Sequence, residues 1–196
     1  MSHPQLSILI PAAGASKRLG QPKQLVRYKT GTLVQNAVDI ALSIGPREVI
    51  VVTGAHKKAV QHAIQHSRVR LAHNSHWSDG MGNSIATGAA IISPESTGVM
   101  ILLCDQWRLQ TADLLHLTEV WQSAPDRIAV AEANGSLMPP AIFPLTCFNQ
   151  LRELNGNQGA RSVFGFHPEL ITAVPVTSAA FDLDTQDQLD ELRRNP

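Results

Sequence analysis

Apolar and polar positions along the chain fall into alternating short apolar runs and helix-period segments. Leu6, Ile8, Leu9 and Ile10 form a branched-aliphatic run that predicts a buried strand, and Glu48–Thr53 (EVIVVT) predicts a second. Val69–Ala72, Gly98–Cys104, Arg127–Ala131, Ala141–Phe143 and Leu170–Val174 predict further strands, with the very apolar GVMILLC at the centre. Between them lie helical spacings. Leu33–Ile44 carries Leu33, Val34, Ala37, Val38, Ala41 and Leu42 and is stopped by Gly45-Pro46. Lys57–Gln65, Ile85–Ile92, Cys147–Leu154 and Ala160–Phe166 also read as helices, as does a segment capped by Thr111 with Leu114, Leu115, Leu117 and Val120 inward. Thr185 opens a terminal helix through Leu192. Asn74–Ser84 reads as a polar, glycine-bearing loop, and Met138-Pro139-Pro140 interrupts the pattern after the fifth strand.

This alternation predicts an α/β fold: a three-layer Rossmann-like domain with a mostly parallel mixed sheet, binding its ligand outside the strands' carboxyl ends. The 196 residues make one domain, residues 1–196, with the Pro-interrupted stretch 134–166 expected to hold an antiparallel strand and an acceptor-covering lobe.

Composition narrows the function. Net charge is zero with the histidines neutral, which speaks against a general nucleic-acid or membrane-surface binder. The charge is nevertheless polarised. Residues 1–30 carry Lys17, Arg18, Lys23, Arg27 and Lys29 and no acid, whereas the last residues carry Asp182, Asp184, Asp187, Asp190 and Glu191 against Arg193 and Arg194. Such ends either fold together around an anion and its metal or form two solvated faces. Cys104 and Cys147 match no metal or redox spacing and read as small buried hydrophobes of a reducing compartment. Without a signal-peptide pattern or a membrane-length apolar stretch, a cytoplasmic location is expected.

Five constellations carry chemistry. The first strand ends in Ala12, Ala13 and Gly14, small enough for a ligand to approach the main chain, followed by Ser16, Lys17, Arg18 and Lys23. A strand ending in exposed N–H groups and cations suits phosphate, although neither the dinucleotide fingerprint nor the Walker loop is present. Asp105 comes directly after the central strand, where it is either a magnesium ligand or a turn-former. Asp182 and Asp184 precede the last helix and either join Asp105 around a divalent cation or leave Asp184 or Thr185 as a cap. Asn74, Asn83 and Ser84, with Gly80 and Gly82, offer groups that read a base edge, or form a surface turn. Arg161 opens a helix after Gly156–Gly159, where it either holds a substrate anion or makes a surface ion pair. His62 and His66 lack the glutamate of a zinc protease between them, and no serine or cysteine is framed as a nucleophile.

These motifs resemble those of the molybdopterin nucleotidyltransferases, which include the molybdenum cofactor cytidylyltransferases and have the nucleotide-diphospho-sugar transferase fold. PAAGASKRLGQPK resembles the family's L-A-A-G-x-S-x-R-M-G-x-x-K. SDGMGNSIATG, LLCDQ, PPAIFP, NGNQGAR and DLDTQDQL resemble, in the same order, G-M-G-x-S-L-x-x-G, L-x-D-Q-P, P-x-x-F, G-D-x-G-A-R and D-I-D-T-P-E-D-L. The resemblance implies transfer of CMP from CTP to the terminal phosphate of molybdopterin, with Mg²⁺ as cofactor and release of pyrophosphate. It implies that Ala12, Ala13 and Gly14 line the base and ribose, and that Ser16, Arg18 and Lys23 hold the triphosphate. Asn74, Gly82 and Ser84 would contact base and ribose, Asp105 and Asp184 would bind the metal, and Arg161 with the segment around Pro140 would face the acceptor. Arg18, Lys23 and Asp105 would be the catalytic set.

Relatives that transfer guanylate carry L-A-G-G where this chain has Pro11-Ala12-Ala13-Gly14, so the Ala13 methyl points to CTP rather than GTP. Guanylyl transfer, a different phosphorylated acceptor, or a non-catalytic protein that delivers the finished cofactor to a molybdoenzyme or its chaperone are the alternatives. Pro11, Trp107, Asn157 and Gln158 depart from the motifs, and Trp107, beside Asp105-Gln106, is expected to reshape the acceptor site.

Overall fold

The computed structural model describes residues 5–165 and 167–194. Phe166, predicted as the end of a helix, lies outside the described residues. β1 (Leu6–Ala12) leads through the loop 13–26 to a two-stranded ribbon of β2 (Arg27–Tyr28) and β3 (Gly31–Thr32). Then come α1 (Leu33–Ser43), β4 (Glu48–Thr53), α2 (Lys57–Ala63), β5 (Arg70–His73), α3 (Met81–Ala89) and β6 (Gly98–Ile101). The second half adds α4 (Thr111–Ser123), β7 (Ile128–Ala133), β8 (Ser136–Pro144), α5 (Phe148–Glu153), α6 (Arg161–Phe164), β9 (Ile171–Pro175) and α7 (Gln186–Arg194).

One seven-stranded sheet runs β5-β4-β1-β6-β8-β7-β9. β8 is antiparallel to both neighbours, and every other pairing in this sheet is parallel. The mixed, mostly parallel sheet expected from the alternation is therefore present, with β6 in the middle. After β1 the chain winds outward through β4 and β5, then returns across β1 to β6. The carboxyl ends of β1 and β6 consequently border the crevice where the winding reverses, the place where α/β sheets bind ligands.

Pleating divides the core. Ile8, Ile10 and Ala12 of β1 face α1, α2 and α4, while Leu9 and Ala13 face α3, α5 and α6. The inner face of α4 is Leu114, Leu117 and Trp121. Leu115, expected inward, is 42% exposed, because positions 114, 117 and 121 follow the helical period and 115 does not. Gln110, not Thr111, occupies the N-cap of α4, its N–H donating to Asp113 Oδ2 at 2.9 Å.

Three boundaries differ from the sequence expectation. α3 begins at Met81 rather than Ile85, so Gly82, Asn83 and Ser84 are helical. The helix expected from Ala160 is the four-residue α6. β8 spans nine residues and runs straight through Pro139-Pro140, with the β7–β8 register shifting between Val130 and Ala131. A bulge removes the need for a ladder N–H at those prolines. The 134–166 stretch thus contributes β8 to the main sheet and α5 against α3.

A third apolar cluster closes the ligand end of the fold. Leu19, Val26 and Tyr28 from the first loop and ribbon and Leu33 at the start of α1 meet Trp107, Leu183, Leu189 and Leu192. Trp107 is buried edge-on between Tyr28 and Phe181, at centroid distances of 5.9 and 6.4 Å, with Arg108 stacked over Phe181 at 3.8 Å. Its ring lines none of the cavities at the ligand end. Its role is to pin α7 to the first loop, which corrects the expectation that it shapes the acceptor site.

The opposite end of the sheet is tied by a carboxylate. Glu48 of β4 accepts from Ser7 Oγ of β1 at 2.9 Å and from Ser93 N at 2.6 Å, and pairs with Arg70 of β5. Burial works to raise the pKa of Glu48, but the Ser93 N–H, Arg70 and Ser7 outweigh it and hold the carboxyl below its ordinary value. Its stabilising contribution is therefore present above the unfolded glutamate pKa of about 4.3 and is lost as pH falls through the lower folded value. Glu48→Gln should flatten the acid limb of stability against pH, read by urea unfolding from about pH 3 to 7, while wild type loses stability steeply there.

Candidate active site

The loop after β1 is shaped by its own polar groups. Gln24, buried, donates from Nε2 to Gly14 O at 2.7 Å and to Ala12 O at 3.3 Å. Ser16 adopts a left-handed φ of 53°, a conformation non-glycine residues seldom take, and its Oγ accepts the Lys23 N–H at 3.1 Å. The loop so held exposes Lys17 and Arg18 and turns Lys23 inward.

Lys23 is the junction of the site. Its ammonium pairs with Asp105 Oδ2 and donates to Asp184 Oδ1 at 3.0 Å. Burial pushes the lysine pKa down, but the two carboxylates more than reverse this and hold it well above the ordinary lysine value. Arg18 reaches the other oxygen of Asp184 at 3.8 Å with its side chain 87% exposed, a loose tether that leaves the guanidinium available to an anion.

The two aspartates of the terminal segment are separated by Leu183, which is buried in the third cluster and whose N–H bonds Asp105 O at 3.1 Å. Asp182 is bridged to Gln106 and faces one cavity; Asp184 faces another. Burial, then the negative charges of Asp105 and Asp184, raise the Asp182 pKa. The cap of α7 is Thr185, whose Oγ1 accepts Gln188 N at 3.3 Å while Gln188 Oε1 accepts Thr185 N at 2.8 Å, leaving the Asp184 carboxylate free for Lys23.

Three adjoining cavities open here. One of about 160 Å³ lies under Ala13, Gly14, Gln24, Trp77, Ser84 and Asp105. One of about 420 Å³ is bordered by Gly14–Leu19, Lys23, Trp77, Ser78 and Asp184. The largest, about 740 Å³, has an apolar floor of Ile85, Ile101, Leu103 and Met138 and polar walls of Gln106, Asn134, Asn157, Arg161 and Asp182. Met81 borders all three.

The sequence-predicted residues divide accordingly. Ala13, Gly14, Ser16, Arg18, Lys23, Ser84, Asp105, Asp184 and Arg161 border these cavities. Ala12, Asn74 and Gly82 border none of them. Ala12 is a core residue whose carbonyl accepts from Gln24. Asn74 stands behind Ser84, donating from Nδ2 to its Oγ at 3.1 Å and accepting His76 N at 2.9 Å, so it orients Ser84. Gly82 donates its N–H to Gly156 O at 2.9 Å. Pro139, rather than Pro140, reaches the large cavity. Trp77, Met81, Leu103, Gln106 and Gln24 were not among the sequence candidates. The glycine pair flanking Met81 was the signal that could have found that residue.

That glycine pair locks α3 to the turn at 155–158. Gly80 has φ 133°, and a Cβ there would overlap Gly156 O; a Cβ on Gly82 would stand 2.5 Å from Asn155 O. Gly156 N in turn donates to Asn83 Oδ1 at 2.7 Å.

Metal fit rests on the carboxylates. Asp105 Oδ1 is buried without a hydrogen-bond partner, and Asp184 is half exposed beside it across Lys23. Among the described residues no group of three or more His, Cys, Asp or Glu could hold a metal by themselves. Two carboxylates with oxygen donors suit a hard divalent cation that takes its remaining ligands from phosphates and water. Cys104 next door is no alternative nucleophile, since burial and then Asp105 push its thiol up to about 12. Among the described residues no helix is long and apolar enough to cross a membrane.

A family model for the MobA-like NTP transferase domain matches residues 8–171. The chain belongs to this family. This MobA-like transferase is 32% identical over 201 residues to nicotine blue oxidoreductase of Paenarthrobacter nicotinovorans, covering 96% of this chain and 97% of that one. It is 28% identical over 205 residues to the purine catabolism protein PucB of Bacillus subtilis, at 99% and 98% coverage. It is 21% identical over 183 residues to the molybdenum cofactor cytidylyltransferase of Escherichia coli, at 93% and 92%. Among solved structures, Rv0371c of Mycobacterium tuberculosis superposes with TM-score 0.86 at 26% identity, covering 99% of this chain and 100% of that chain. A manganese complex of Rv0371c gives 0.79 at 23%, with the same coverage. The molecule is thus a nucleotidyltransferase of the MobA-like family, with the fold its motifs implied.

Gly80→Ala should lower stability by about 1–3 kcal/mol through left-handed strain and displacement of the 155–158 turn, measured by thermal unfolding. An unchanged melting temperature would contradict the lock.

Proposed function

We propose that this MobA-like transferase moves CMP from CTP to the terminal phosphate of a molybdopterin-type acceptor and releases pyrophosphate. The observation that carries the reading is the Lys23–Asp105–Asp184 junction, which borders both the narrow cavity walled by Ala13, Gly14 and Ser84 and the cation-lined cavity of the first loop, with the large, mixed-polarity cavity adjoining them at Met81. The narrow cavity takes the nucleoside, its backbone reading the base edge; the Ala13 methyl takes up room that a purine would need. Ser16, Lys17, Arg18 and Lys23 receive the triphosphate. The large cavity takes the acceptor, with Met81, Leu103 and Met138 against its flat apolar part and Arg161 for an anionic group.

An acceptor phosphate oxygen attacks the α-phosphorus, the bond to the α–β bridging oxygen breaks, and the electron pair leaves with pyrophosphate. The attacking phosphate is already ionised, so no general base is required. Catalysis then rests on in-line positioning and on neutralising anion–anion repulsion by Arg18 and Lys23. Mg²⁺ held by Asp105 and Asp184 would supply further neutralisation of the phosphates; the solved manganese complex of Rv0371c is in line with a divalent cation in this fold.

The relatives of higher identity are named for nicotine blue and for purine catabolism, which favours one second reading: the same transfer to a different phosphorylated acceptor. Non-catalytic delivery of a finished cofactor is disfavoured, because a carrier has no need of two converging carboxylates and a lysine.

Pyrophosphate release in the presence of Mg²⁺, molybdopterin and either CTP or GTP tests the proposal. Preference for CTP is expected; preference for GTP would overturn the base assignment, and no release with either would overturn the acceptor. Ala13→Gly should raise the kcat/KM for GTP relative to CTP by about tenfold. Asp105→Asn should lower kcat on the order of 100-fold while leaving the circular dichroism spectrum intact.

A further inference from the structure

The carboxylates that converge on the proposed cation position already hold a cation, the side chain of Lys23. One ammonium meets both, although Asp105 and Asp184 lie 82 and 161 residues from it in the chain. Asp105 is 8% exposed and Asp182 adds a third negative charge close by, so without Lys23 the buried Asp105 carboxylate would face like charges with no compensating cation. Arg18 cannot replace it: its guanidinium is largely in solvent and touches only Asp184.

The backbone around Lys23 is fixed, its N–H bonded to Ser16 Oγ and its neighbour Gln24 bonded to two loop carbonyls. The freedom of this residue is therefore in its four-carbon stem. The same stem borders the cavity assigned to the triphosphate. A lysine ammonium is a compact point charge on a flexible stem, able to exchange one set of oxygen partners for another within that reach.

We infer that Lys23 is a positioning residue for the metal ligands: in the nucleotide-free protein it serves as their resident counter-ion, and it yields them to the divalent cation only when phosphates arrive to receive the ammonium. The inference rests on the proposed metal site. Ammonium and divalent cation exclude one another between the same two carboxylates. An ammonium displaced without phosphate present would give up both carboxylate partners with no anion to take their place. Metal and nucleotide binding are consequently coupled, and the coupling is reciprocal.

The test uses Mn²⁺ as probe, followed by loss of the free-ion EPR signal, on wild type, Lys23→Met and Lys23→Gln. Without nucleotide, both variants should bind Mn²⁺ at least about tenfold more tightly than wild type. Mn²⁺ should also raise their melting temperatures and leave that of wild type unmoved. A lysine with a merely structural role would not alter metal affinity in this direction. Lys23→Gln keeps amide donors for the two carboxylates and covers the case in which Lys23→Met fails to fold. Equal Mn²⁺ affinity in wild type and variants would overturn the inference. A parallel arm adds CTP to wild type and looks for the broadened signal of protein-bound Mn²⁺. If that signal appears while the affinities are equal, the metal site stands and only the counter-ion role falls. If it never appears, the metal site falls and the inference with it.

Discussion

Lys23, Asp105 and Asp184 form the contact on which the active end of this molecule depends. Three segments far apart in the chain meet there: the loop after the first strand, the end of the central strand, and the residue before the terminal helix. Two buried or half-buried carboxylates could not converge without a positive partner, because like charges in a poorly solvated place raise one another's energy. The apolar cluster around Trp107 and Leu183 supplies the closure, and the lysine makes the closure electrostatically tolerable. The result is a charged junction bordering the narrow cavity and the cation-lined one, with the largest cavity adjoining both at Met81.

The sheet explains why the junction lies where it does. Winding from β1 out to β5 and back to β6 leaves a crevice at the carboxyl ends of β1 and β6, and Ala13 and Asp105 lie just beyond those ends. α3 forms the far wall. Its start is held against the 155–158 turn by two glycines that permit backbone-to-backbone approach, and Met81 between them borders all three cavities. The three cavities therefore present contiguous surfaces, which suits the proposed reaction, one that joins two substrates by a phosphate bridge.

Much of this was legible in the residues. Buried strands such as EVIVVT and GVMILLC announce themselves by composition, and the cations after β1 and the acid after β6 fall where α/β sheets collect function. Other features needed three dimensions. β8 reads as broken at Pro139-Pro140, yet a bulge lets the strand continue. Asn74 and Gly82 look like ligand-reading groups, but the first supports Ser84 and the second packs on the 155–158 turn. Trp107 stands next to the Asp105-Gln106 pair, while its ring points into the third cluster. Nothing local shows that Lys23, read as a phosphate-holding cation, is also the partner of both carboxylates, since that pairing is created only by closure of the fold.

The most direct test of the junction's role is an anomalous-scattering difference map from a crystal of the protein with Mn²⁺ and CTP. A manganese peak is expected within bonding distance of Asp105 and Asp184, with the Lys23 ammonium moved onto the triphosphate. A peak away from those two carboxylates, or a Lys23 still bridging them with nucleotide and metal bound, would contradict that role.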